Sequence, residues 1–133
     1  MNRKRYLLAS LAVFIFIFAF EWVFHGVLLE DVYAQTPALW RPKTEMVHYM
    51  RWLFFGQLLF AFIFSYIFVL GYENKGIPEG FRYGFWIALL LSAGILVHYA
   101  VTPVSAGLVA AWILGTLAEM GLAGAIVAGL YKP

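Results

Sequence analysis

Four apolar runs, each close to the ~20 residues a helix needs to cross a hydrocarbon core about 30 Å thick, dominate this sequence. They cover residues 6–29, 52–70, 81–101 and 105–130. Charged residues make up 12% of the chain, about half the share of a soluble globular domain, which argues against a water-soluble fold. Aromatic residues are strung through the runs instead of alternating with polar ones, unlike the strands of an outer-membrane barrel. The expectation is an all-α membrane protein: one domain, residues 1–133, with four transmembrane helices.

The segments between the runs carry turn chemistry. Residues 30–51 form the long loop, with two prolines in EDVYAQTPALWRPKTEM; GYENKGIPEG is a polar turn, and VTPVSAG is short enough for an antiparallel hairpin. Short connections favour an up-down-up-down bundle. The first two runs are rich in phenylalanine and the last in alanine and glycine, so two matched inverted halves are not expected.

Basic residues set the expected orientation. Arg3, Lys4, Arg5, Lys75, Arg82 and Lys132 fall on one side, whereas Arg41, Lys43 and Arg51 fall on the other. The positive-inside rule then puts both termini in the cytoplasm of a plasma (inner) membrane and the long loop outside. Trp40, Trp52, Tyr33 and Tyr49 flank that loop as interfacial anchors. MNRKR before an apolar run, with Val32-Tyr33-Ala34 further on, has the outline of a signal peptide. The run is longer than a signal core and Glu30 and Asp31 intervene, so the segment is read as a retained first span.

Composition also closes off several chemistries. Without cysteine there are no disulfides, thiolate metal sites, iron–sulfur clusters or covalently attached haem. No basic stripe with interleaved aromatics tracks a nucleic acid. No nucleophile elbow, phosphate loop, dinucleotide fingerprint or HExxH is present, so the reading leans away from an enzyme.

What remains is a set of polar residues inside apolar runs, where an ionisable group costs roughly 2.5–3.5 kcal/mol at mid-bilayer. Glu21 and His25 stack one turn apart on the first run, in FAFEWVFHGVLLED. His98 ends a stripe of Gly80, Gly84, Ile87, Leu91 and Gly94 on the third, and Glu119 sits mid-way along the fourth. Counting depth from the ends of the runs gathers Glu21, His25, Gln57 and His98 in the outer half, with Glu119 below. Ser65 and Ser92 are cheaper companions, and His48 is read as a solvated side chain.

Interhelical hydrogen bonding is the simplest use of such a cluster. A divalent metal on Glu21, His25 and His98, or a b-type haem between the two histidines, are alternatives, as is proton or ion passage; no cofactor is predicted. Glu-x-x-x-His matches neither the zinc-protease motif nor the Glu-x-x-His of di-iron bundles. On the fourth run, Gly107, Ala111 and Gly115, then Gly121, Ala125 and Gly129, are spaced by four and suit close helix packing, within the bundle or against another subunit.

In helix count and in the Trp- and Pro-bearing first loop (ALWRP), the chain resembles small four-helix bacterial inner-membrane proteins of unknown function. The resemblance covers the layout and carries no functional residues. The leading expectation is a non-enzymatic structural or accessory subunit, self-associating or joined to other membrane subunits in the lipid bilayer. The alternative is a small binding or transport module for a proton, metal, haem or apolar ligand at the polar cluster.

Overall fold

The computed structural model describes all of residues 1–133 and contains helices and turns only. Helix α1 (Arg3–Val23) is capped by Asn2, whose side chain accepts the Arg5 N–H at 3.2 Å, and continues as a π-helical turn, Phe24–Leu28. A short α2 (Glu30–Ala34) and a 3-10 turn (Pro37–Leu39) lead into α3 (Lys43–Leu70). The chain returns as α4 (Ile77–Val101) and α5 (Ala106–Leu130), the latter capped by Ser105. Four helices are long and apolar enough to cross a membrane, and they run up-down-up-down, which brings both termini to one end.

α3 begins at Lys43, well ahead of the apolar start at Trp52, because Lys43–Arg51 carries no helix breaker after Pro42. Its 28 residues span about 42 Å, more than a hydrocarbon core about 30 Å thick, so its polar first turns extend beyond the apolar zone.

With lipid as solvent, apolarity does not distinguish inside from outside; size does. The buried positions of α4 are Glu79, Gly80, Gly84, Ala88 and Ser92, a run of small residues at intervals of four after the first. A Cβ on Gly80 would stand 2.0 Å from the Gly124 carbonyl oxygen, and one on Gly84 would stand 1.9 Å from that of Met120. The α4 and α5 backbones therefore touch directly. The α1–α3 pair is aromatic instead: Phe14 meets Phe54 with centroids 5.1 Å apart, and the Tyr6 hydroxyl donates to the Phe62 carbonyl at 3.0 Å.

In space the order is α3, α1, α5, α4. Tyr83 of α4 closes the bundle onto α3 near the termini end, donating to the Phe64 carbonyl at 2.6 Å and packing against Phe64 and Phe68. The largest core cluster joins Ala9, Val13, Ile17, Phe64, Phe68 and Val127 from that half of the bundle. Toward the long loop α3 is exposed along most of its length and the bundle splays.

The α3–α4 turn is built around Glu79. Its buried carboxylate accepts the backbone N–H groups of Glu73 and Lys75, both at 2.7 Å, while Asn74 and Gly76 take positive φ values of 59° and 73°. Glu73 in turn pairs with Lys75 and Arg82, which hold its carboxyl below the usual range.

Candidate functional site

The π-helical turn at the end of α1 starts the site. The Leu29 N–H reaches back five residues to the Phe24 carbonyl at 3.0 Å, widening the helix by one residue; such bulges re-aim side chains. Phe24 swings onto α5 over Gly115, where a Cβ would stand 2.4 Å from the Phe24 ring. His25 turns toward α2, and its ring lies 5.9 Å from that of Tyr33, nearly parallel at 22°.

A hydrogen-bonded chain follows. The Trp112 indole donates to the Tyr33 hydroxyl oxygen at 2.8 Å, the Tyr33 oxygen lies 2.5 Å from His25 Nδ1, and His25 Nε2 lies 3.1 Å from a Glu21 carboxylate oxygen. An indole can only donate, so the Tyr33 oxygen accepts from Trp112; in the Nε2–H tautomer of His25, Nδ1 accepts the Tyr33 proton. Nε2–H then donates to Glu21. Burial pushes the Tyr33 phenol above its ordinary pKa, so it stays a proton donor in this position.

Beyond Glu21 stands Glu119 of α5. The two carboxyls are close enough to interact, and Glu119 is only 5% exposed, yet one of its oxygens, Oε1, has no hydrogen-bond partner. Both line a cavity of about 200 Å³ with Phe24, His25, Trp112 and Thr116. Ile95 of α4 and Gly115 complete the wall. The long loop roofs it: Tyr33 is bonded to two lining residues, and Trp40 packs edge-on against Trp112 with centroids 6.2 Å apart. Leu29, Val104, Leu108 and Val109 anchor this roof to the start of α5.

Of the residues singled out in sequence, Glu21, His25 and Glu119 share this cavity. His98 does not line it; it stands behind the site, exposed, with its ring 6.0 Å from Trp112 and Nδ1 3.5 Å from the Thr102 hydroxyl. Gln57 lies apart. Phe54 packs on Phe14 and Phe18, and Tyr6 on Phe62 and Tyr66, so Gln57 is level with the residues around Val13, about 12 Å along the bundle from Glu21. His48 is exposed on the early turns of α3.

The small residues of α5 divide between neighbours. Gly115 receives Phe24, and a Cβ on Gly121 would stand 3.5 Å from the Phe81 ring, whereas Gly107 and Gly129 are exposed and Ala111 and Ala125 half-buried. The backbone contact with α4 is made at Met120 and Gly124, positions outside the expected stripe. Along α4 the stripe likewise departs from expectation beyond Gly84: Ala88 and Ser92 are buried, and Leu91, Gly94 and His98 face outward.

Metal or haem chemistry finds little to hold it. No group of three or more His, Asp or Glu side chains is gathered for a metal ion, and both His25 ring nitrogens are already bonded, to Tyr33 and Glu21. Sequence reasoning missed Tyr33, Trp112, Phe24 and Thr116 as site residues. Tyr33 and Trp40 were read as interfacial anchors, although both pack against Trp112 as a roof.

Fold and site together define a multi-pass helical bundle with a carboxyl-lined cavity toward its long-loop end. Compared with known protein families, curated proteins and solved structures, the chain matches none of them, so its likeness to small four-helix membrane proteins is one of layout.

Proposed function

We propose that this protein is a small membrane-embedded module that binds a cation or exchanges a proton at the cavity shared by Glu21, His25 and Glu119. The observation that carries this reading is the unpartnered Oε1 of buried Glu119, beside the carboxyl of Glu21. An orphaned buried acceptor costs about 1–3 kcal/mol, a cost that a bound proton or cation would offset. Two neighbouring carboxylates at hydrocarbon depth also repel, so a proton or another cation belongs between them. The Trp112, Tyr33, His25, Glu21 chain supports the proton alternative by connecting the roof to that pair.

The test is infrared difference spectroscopy on protein reconstituted in liposomes and taken through a pH jump. A carboxylic-acid carbonyl band that responds to pH and disappears in Glu119→Gln is expected. If the band is insensitive to pH and Glu119→Gln only lowers thermal stability, the carboxyls serve packing alone.

A second reading, a subunit of a larger assembly or a homo-oligomer, is favoured by one observation. The side chains of His25 and Glu21 are 36% and 30% exposed in the isolated chain, at a depth where lipid offers them no partner. A neighbouring helix could cover them. Native mass spectrometry from membranes reads this directly, and a strict monomer without companions counts against it.

A further inference from the structure

Resting on the cation-binding reading above, we infer that the cavity takes the head of a lipid-soluble ammonium ion entering from the plane of the membrane. The donors and acceptors choose the charge. Glu21 and Glu119 supply carboxylate oxygens, one of them without any partner in the protein, and Thr116 adds a hydroxyl; no lysine or arginine lines the wall. His25 has both ring nitrogens engaged and offers no free donor to an anion.

The aromatic walls choose the kind of cation. Trp112 and Phe24 line the cavity, and an ammonium near an aromatic face gains roughly 0.5–2 kcal/mol. A calcium ion would want about 6–8 oxygens and finds far fewer here, while no three-residue metal set exists. A weakly hydrated organic ammonium fits this mixture of a few oxygens and rings.

Size and access choose the rest of the ligand. The cavity, about 200 Å³, is smaller than the roughly 300–1,000 Å³ of sites that swallow a drug-sized molecule, so it holds a head and leaves the tail outside. Tyr33 and Trp40 close the loop side. α1 and α4 both pack on α5 and scarcely meet each other, which leaves a cleft between them with α5 as its floor. The mouth therefore opens toward hydrocarbon, where an alkyl tail is at home.

The probe is octylammonium, titrated by calorimetry into the protein in neutral phosphatidylcholine nanodiscs, with empty discs subtracted and octanol in parallel. Saturable one-site binding of octylammonium is expected, with no octanol signal above empty discs. Affinity should fall at least tenfold in Glu119→Gln and stay within twofold in His48→Ala. As a measurement on the unaltered chain, octylammonium and not octanol should protect Glu119 from modification by a hydrophobic carbodiimide. Equal binding of octanol, wild-type affinity in a folded Glu119→Gln variant, or absence of protection each overturns the ammonium assignment. A pH-responsive Glu119 band without octylammonium binding overturns the ligand alone; loss of both overturns the cation site as well.

Discussion

Tyr33 carries two hydrogen bonds on one oxygen, and each ties the roof to a different helix: Trp112 on α5, and His25 in the turn that ends α1. Tyr33→Phe keeps the ring against Trp40 and removes both bonds, leaving the Trp112 indole and His25 Nδ1 without their partner. The expected cost is about 1–2 kcal/mol, read as a lower midpoint of thermal unfolding in detergent. Nitrogen NMR of the imidazole gives the sharper readout. In the native chain His25 is expected as the Nε2–H form with an accepting Nδ1, and in Tyr33→Phe this preference is lost. Gly115 is tested the other way: Gly115→Ala drives a methyl into the Phe24 ring, and the ring, being a side chain at the edge of the cavity, moves into the space beside Glu119. The variant is expected to fold and to lose cation binding.

At the scale of elements, the α4–α5 contact is backbone on backbone, and no side chain there can yield. Gly80→Ala or Gly124→Ala places a Cβ 2.0 Å from a carbonyl oxygen of the facing helix, so each is expected to cost about 3 kcal/mol or more, whereas Gly129→Ala, which meets open space, changes stability little. Thermal unfolding of the three variants side by side checks the ranking. The α3–α4 turn adds a pH dependence. Lys75 and Arg82 hold the Glu73 carboxyl below its ordinary 4.5, so the pairing stabilises the fold above that value and is lost as pH falls through the lower folded-state pKa. Unfolding midpoints from about pH 6 down to about pH 3 should drop less in Glu73→Gln than in the native chain.

The same elements explain what could be read in advance. Helix number and order follow from run length, because a bilayer imposes a length and the intervening Pro and Gly clusters supply turns. Glu21 and His25 were legible as a pair because four residues on one helix make neighbours. The meeting of α1 with α5, which brings Glu119 to them, was not, since periodicity within a helix says nothing of which helix lies beside it. Gln57 was grouped with them by depth alone, and depth does not say which helix a side chain meets; it does not line their cavity. The π turn at Phe24 has no sequence signature here, and it carries the His25 that meets Tyr33.

At the scale of the whole molecule, four antiparallel spans put Asn2 and Lys132 at one end and the long loop at the other, and only the distribution of Lys and Arg assigns those ends to sides of the membrane. The absence of cysteine makes the assignment testable with single thiols. Asn2→Cys, Lys132→Cys and Gln35→Cys each create the sole thiol in the chain, at exposed or half-exposed positions away from the cavity. With a membrane-impermeant maleimide on intact cells, Gln35→Cys is expected to react, and the two terminal variants only after the membrane is opened. That result puts Glu21 and Glu119 in the outer half, beneath a roof facing the exterior, so an amphiphile would reach them from the outer leaflet. Reaction of the terminal thiols on intact cells would reverse the molecule and move the cavity mouth to the inner leaflet. Labelling of all three would mean a mixed orientation, in which a directional role for the Trp112 to Glu119 chain loses its basis.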